Sequence, residues 1–265
     1  MRKIITLMAI VSYFLSALSQ DFAVKILEES PRHHEWVEVK YNDRTVHCFM
    51  VYPEVAKKAT AVIVIHENRG LTNWVRSFAD KLAANGYIAI APDFLSGFSE
   101  ENKKTSDFPS TDEARNAIYR LNPEQITADL DAVFNYVSNI PAANGKVAVA
   151  GFCWGGSQTF RYATNNPNII AACVFYGGAP DDEKEIERIK TPVYGFYGEN
   201  DERINAGIPK TEELMKKAGK TYNYEIYKGV GHAFMGRGDD PEGSDEYKKA
   251  TNEAFNRLLK ILGKH

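Results

Sequence analysis

Cys153, Asp201 and His232 have the types and chain order that nucleophilic acyl chemistry requires. Cys153 lies in Gly151-Phe152-Cys153-Trp154-Gly155-Gly156, straight after the apolar run Val147-Ala148-Val149-Ala150 and before a stretch with helical character. Small residues two positions either side of a nucleophile let a strand turn sharply into a helix without side-chain collision. Such a turn lifts the sulfur above the sheet and sets it near a helix N-terminus, where the macrodipole favours thiolate. An acid past a later strand and a histidine past the strand beyond it complete the order nucleophile, acid, histidine. Asp201 follows the run Val193 to Tyr197, and His232 follows Tyr222 to Tyr227.

In this arrangement His232 takes the thiol proton, Asp201 orients the imidazole, and Cys153 attacks a carbonyl carbon to form an acyl-enzyme. The backbone N–H of Trp154 is the first expected oxyanion donor. The second is the N–H of Asn68, in the loop His66-Glu67-Asn68-Arg69-Gly70 after the apolar run Ala61 to Ile65. Glu67 is unexpected beside a thiolate, because its charge opposes that of the sulfur. It either holds the thiol proton at rest or pairs with Arg69 in the pocket wall. The residue types alone leave other readings open. Cys153 as an inert buried thiol would make the chain a small-molecule-binding protein, Asp201 could serve as a turn or N-cap residue with Glu199 as the acid, and His232 could be a packed loop histidine. His33, His34, His47, His66 and His265 are worse placed in the chain. No H-E-x-x-H string or His/Cys cluster offers a metal ligand set, so neither metal nor cofactor is expected.

The elements that must position these groups alternate. The runs Trp36 to Tyr41 and Thr45 to Tyr52 read as antiparallel strands joined at Asn42-Asp43. Ala61 to Ile65, Tyr87 to Ala91, Lys146 to Ala150, Ile169 to Tyr176, Thr191 to Tyr197 and Tyr222 to Tyr227 read as further strands, and the nearly all-apolar ones suit a parallel sheet buried on both faces. Helices are predicted over Asn73 to Asn85, Asp112 to Tyr119, Pro123 to Val137, Ser157 to Thr164, Thr211 to Ala218 and Asp245 to Leu262. This pattern predicts an α/β fold: a mostly parallel central sheet flanked by helices on both faces. Residues 96–120 carry no strand pattern and are expected to rim the pocket.

Composition bounds the rest. The 265 residues suffice for one substantial core, and 35 acidic against 32 basic side chains leave a formal net charge of -3. That balance argues against a nucleic-acid-binding role. Arg2 and Lys3 precede an apolar run from Ile4 to Leu18, with small residues Ala17 and Ser19 before Gln20. This is a secretory signal-peptide pattern, predicting a single mature domain over 20–265 that is exported to the periplasm or beyond and keeps no stable membrane span after processing. Cys48, Cys153 and Cys173 are too few for a disulfide framework, so at least one thiol stays free unless chains pair. Phe94, Phe98, Tyr176 and Phe234 fall in loops at strand carboxyl ends and are expected to line the substrate pocket.

Across about Trp36 to Leu262 the chain resembles the dienelactone hydrolase family, on the combined strength of Gly151 to Gly156, the Asp201 loop, Gly231-His232-Ala233-Phe234 and the Glu67 loop. The resemblance implies an α/β-hydrolase fold, a Cys153–His232–Asp201 triad and backbone donors at Asn68 and Trp154. It also implies that Glu67 holds the thiol inactive until substrate displaces it. The expected partner is a small-molecule ester or lactone, with a thioester as an alternative, and the expected form is a monomer or homodimer. Two departures stand out. The family's substrate-binding arginine is missing from Pro92-Asp93-Phe94-Leu95-Ser96-Gly97, and Arg237, the counterpart of the second, is shifted by one residue, so the resemblance does not single out dienelactone as substrate.

Overall fold

The first strand pair forms as the apolar alternation predicts. A computed structural model of the chain describes residues 22–264, and the signal-peptide pattern of residues 1–19 lies outside them. After a helix α1 (residues 22–29) come β1 (His34–Tyr41) and β2 (Arg44–Val51), antiparallel and joined at Asn42 with φ 47°. Asparagine tolerates this left-handed turn geometry better than most residues.

From there strand and helix alternate: β3 (Ala59–Ile65), α2 (Asn73–Ala83), β4 (Ile88–Pro92), α3 (Thr111–Ile118), α4 (Pro123–Asn139), β5 (Ala143–Phe152) and α5 (Trp154–Asn165). The chain continues through β6 (Ala172–Phe175), α6 (Glu183–Glu187), β7 (Val193–Gly198), α7 (Glu202–Asn205), α8 (Ile208–Lys217), β8 (Tyr222–Tyr227), α9 (Phe234–Asp239) and α10 (Asp245–Leu262). The strands make one sheet in the order β1-β2-β4-β3-β5-β6-β7-β8, antiparallel through the β2–β4 pairing and parallel from β4 to β8. Parallel neighbours end on the same edge. The loops after β3, β5, β7 and β8 therefore converge there, as ligand sites of open α/β sheets require.

Each central strand feeds two cores. Val62, Val64, Ala148, Ala150, Phe152, Cys173 and Phe175 pack on one face with α2, α9 and α10. The alternate residues Ile63, Ile65, Val147, Val149, Ala172 and Val174 pack on the other with α4 and α5. A one-residue slip of β5 would exchange the two sets, so burial on both faces fixes its register and with it the height of Cys153. The expected mostly parallel sheet with helices on both faces is what forms.

Boundaries differ in instructive places. Helix α5 starts at Trp154 rather than Ser157, so its first turn lies directly against the nucleophile position. Strand β6 starts at Ala172 rather than Ile169, and α2 ends at Ala83. The short helices α6, α7 and α9 were not expected, since segments of four to six residues carry too little periodicity to be seen. Residues 96–120 hold a 3-10 turn (Thr105–Asp107) and α3, whose Ala114, Ala117 and Ile118 form a small core with Leu95. Among the described residues no helix is long and apolar enough to cross a membrane.

Candidate active site

The turn from β5 into α5 is built on close backbone contact. A Cβ at Gly155 would stand 2.4 Å from the Ile65 carbonyl oxygen and 2.3 Å from that of His66, so only glycine lets the elbow sit against the end of β3. Cys153 itself holds φ 54° and ψ -114°, a conformation L-residues rarely adopt. Such strain costs on the order of 1–3 kcal/mol and persists where the surroundings over-determine it.

Around the sulfur, the backbone N–H groups of Trp154 and Asn68 both face it and favour the thiolate. Burial and the Glu67 carboxylate outweigh them, pushing the thiol up to about 11. At rest the sulfur is therefore protonated at neutral pH. Burial also pushes the Glu67 carboxyl up to about 7, against the opposing pull of Arg69, the Tyr176 hydroxyl and Arg237. Glu67 keeps a partly accessible edge on the cavity while its carboxyl is closely surrounded. The Tyr176 hydroxyl faces it without making a hydrogen bond of standard geometry.

Asp201 and His232 arrive from the ends of β7 and β8. Asp201 is positioned at the N-cap of α7, yet its side chain does not cap that helix. Its Oδ2 instead meets His232 Nδ1 at 2.5 Å, in a setting that leaves Asp201 only 5% exposed. Glu199, the alternative acid, accepts from the Gly229 N–H and so ties the β8 loop down instead. The other ring nitrogen, His232 Nε2, is buried with no hydrogen-bond partner, and His232 shares a cavity wall with Cys153. An imidazole held at one nitrogen and unpartnered at the other can move a proton at that second atom.

The cavity, of about 620 Å³, is lined by Cys153, His232, Glu67, Asn68, Arg69, Arg237 and, unexpectedly, Arg115 and Arg203. None of the four arginines has a carboxylate in ion-pair range among the described residues. Arg203 adds a positive field at the sulfur. Its place two residues past Asp201 was the available signal. Arg115 sits on α3, so the excursion does reach the cavity that holds Cys153.

The aromatic lining comes from Trp74 and Tyr119 and not from the residues expected to supply it. Phe94 (1% exposed), Tyr176 (0%) and Phe234 (0%) are enclosed behind the cavity and do not form its surface. Tyr176 packs edge-on against His232 and Phe234, so it backs the imidazole from within. Phe98 packs on Phe108 beneath Arg120, away from the Cys153 cavity. Burial of large aromatic surface outweighs loop position here. Of the residues expected to contact substrate, Arg237 is the one on the cavity wall.

His66, set aside on chain order, proves central to the site's frame. Its Nε2 accepts the Phe94 N–H at 3.3 Å, which leaves the proton on Nδ1 to donate to the Glu67 carbonyl at 2.7 Å. Burial depresses its basicity and keeps the ring neutral, and it stacks on Trp154 with centroids 5.4 Å apart. One ring thus braces both loops that carry the backbone donors. Asn68 is further held by its side-chain N–H to Tyr119 Oη at 3.0 Å. All three cysteines are free, Cys48 and Cys173 being fully buried. Among the described residues no three His, Cys, Asp or Glu side chains gather as a metal ligand set.

Comparison with known proteins gives concordant similarities. The model of the dienelactone hydrolase family matches residues 46–265. A Saccharolobus solfataricus protein, provisionally named a carboxymethylenebutenolidase, is 30% identical over 82% of this chain and 93% of its own. Among solved structures, a Klebsiella pneumoniae protein provisionally described as a dienelactone hydrolase superposes with a TM-score of 0.77 at 21% identity, over 88% of this chain and 99% of that one. A dienelactone hydrolase-like promiscuous phosphotriesterase, P91, from metagenomic libraries gives 0.72 at 18% identity, over 88% and 98% of the two chains. At these identities the structural likenesses speak for the fold.

Proposed function

The chain belongs to the dienelactone hydrolase family, and from that membership we propose that Cys153, His232 and Asp201 form its catalytic triad. The protein is a hydrolase of carboxylic esters or lactones, acting on a small-molecule substrate through a cysteine nucleophile. The observation that carries the residue assignment is the Asp201–His232 bond of 2.5 Å, with the unpartnered Nε2 on the cavity shared with Cys153.

The steps follow from these positions. Substrate entry moves the Glu67 carboxylate away from the sulfur, removing the charge that opposes thiolate. His232 Nε2 takes the thiol proton while Asp201 accepts from Nδ1–H and stabilises the imidazolium. The sulfur adds to the carbonyl carbon, and the developing oxyanion accepts from the Trp154 and Asn68 N–H groups. Collapse breaks the C–O bond, with the imidazolium proton going to the leaving oxygen. Water, deprotonated by His232, then attacks the thioester, and sulfur leaves and recovers its proton as the acid departs. For a lactone the alcohol and acid remain one molecule. Arg237 and the other cavity arginines supply positive charge for the substrate.

A panel of aryl esters, lactones and thioesters tests this reading. Turnover by the parent protein, a Cys153 acyl adduct seen by intact mass, and a loss of at least about a thousandfold in Cys153→Ala are expected. Comparable turnover in Cys153→Ala would refute the nucleophile assignment. We further propose export, on the pattern of residues 2–20. Mass spectrometry of the protein recovered from a secreting host should find the chain starting at Gln20, and recovery of an intact Met1 terminus from the cytosol alone would overturn it.

A further inference from the structure

A second cavity, of about 470 Å³, adjoins the Cys153 cavity and shares Arg69 and Thr72 with it. Its other cations are Arg76, from α2, and Lys104. Arg76 is unusual in what it lacks. Its guanidinium lies 5.7 Å from the Trp36 ring centroid and 5.5 Å from that of Phe49, and its hydrogen-bond acceptor is the neutral Asn73 side chain. No carboxylate is in ion-pair range of it among the described residues, and burial alone shifts it, weakening its hold on the proton.

The acid in this cavity wall, Asp93, is not within ion-pair range of it among the described residues and is oriented by neutral donors of its own loop. Its oxygens already accept from the Thr105 N–H at 2.7 Å, the Thr105 hydroxyl at 2.8 Å and the Leu95 N–H at 3.0 Å. A part-buried cation without a counter-charge costs free energy that an arriving anion recovers. The guanidinium also suits that task, because its planar fork binds oxyanions in pairs of hydrogen bonds while its face rests on aromatic rings. Trp36, 51% exposed, adds an apolar wall beside it.

We propose that this second cavity is a subsite for an oxyanionic group, such as a carboxylate or sulfonate, carried by the substrate away from its scissile carbonyl. Arg76 and Arg69 bind the group, and Trp36 packs against the carbon chain that bears it. The preferred substrates are then esters or lactones with a remote anionic arm. The inference rests on the hydrolase reading of Cys153 for its kinetic readout, though not for its binding readout.

The test uses matched esters. On the alcohol side, 3-(4-acetoxyphenyl)propanoate, its sulfonate counterpart and the neutral propanamide are compared, and on the acyl side the phenyl half-ester of glutarate is compared with its half-amide. The parent protein should favour the anionic member of at least one series by tenfold or more in kcat/KM, chiefly through KM. Arg76→Met, which keeps the stem between the rings, should bring that ratio below about twofold, and Arg76→Lys should restore part of it. Equal loss on anionic and neutral esters in Arg76→Met would show a structural role and overturn the proposal. So would a parent ratio near one in both series while turnover still depends on Cys153. Should Arg76→Met not fold, Lys104→Gln, at an exposed position, is expected to lower the ratio two- to fivefold, and an unchanged ratio would count against the subsite. Binding of 3-(4-hydroxyphenyl)propanoate and its amide to the protein, followed calorimetrically, separates the two readings. Selective binding of the acid without any ester turnover would keep the subsite and sink the hydrolase assignment, whereas equal binding of both would sink the subsite.

Discussion

Cys153, the proposed nucleophile, is held in check by its surroundings: burial and the Glu67 charge push its thiol up to about 11, while two N–H groups and Arg203 pull the other way. Glu67→Gln removes one of the two opposing causes, so the alkylation midpoint of Cys153 should move down. Each unit of that shift gives about tenfold faster carboxamidomethylation at a fixed pH below the midpoint, and an unchanged rate–pH profile would show that Glu67 does not govern the thiol. The same residue makes a stability prediction. Its carboxyl is raised from 4.5 to about 7 in the folded protein, so the folded state holds an extra proton between those values. Stability then falls as pH rises through that window. The melting-temperature gap between Glu67→Gln and the parent should widen in the variant's favour from pH 4.5 to pH 7.5, and a gap independent of pH would contradict the shift.

At the scale of elements, the site depends on two loops that His66 braces together. Replacing it with phenylalanine keeps the stack on Trp154 and strips both hydrogen bonds, leaving the Phe94 N–H unsatisfied and the Glu67 carbonyl with only the longer bond from the Gly70 N–H at 3.3 Å. An unsatisfied group costs about 1–3 kcal/mol when buried, and a displaced oxyanion donor shows in kcat more than in KM. We expect His66→Phe to lower kcat by tenfold or more, with a smaller fractional change in KM, and His66→Gln to recover part of it. A proportional loss in folded fraction alone would mark His66 as purely structural. The strands and long helices, and the gathering of Cys153, His232 and Asp201 at one edge of the sheet, were legible in the sequence because burial on two faces and the glycine-flanked elbow leave strong patterns. The bounds of β8 and α10 matched to the residue. His66 was missed because its work is to hold backbone, which no side-chain spacing reveals. The buried aromatics Phe94, Tyr176 and Phe234 were assigned to the pocket surface because loop position shows where a residue lies along the chain but not which way it faces. Arg115 and Arg203 belong to short or excursion helices whose docking is set by tertiary contacts.

For the whole molecule, one long-range tie joins the last helix to the far edge of the sheet. Arg257 on α10 donates to the Gly195 carbonyl at 2.7 Å and the Asn223 carbonyl at 2.9 Å, pairs with Glu225 at 3.1 Å and covers the Phe196 ring. Arg257→Met should cost about 2–3 kcal/mol, a fall of roughly 4–6 °C in Tm for a chain of this size, measured by calorimetry. A shift under about 2 °C would mean that the tie is redundant. That edge matters because β8 is the outermost strand and the loop behind it delivers His232. A nascent chain therefore carries Cys153, just past the central β5, before the residues of β8 and His232 have been made, and on the proposed triad a ribosome-bound fragment ending short of β8 lacks the base for acyl transfer. On that reading, hydrolysis waits for the outermost strand to pair with β7.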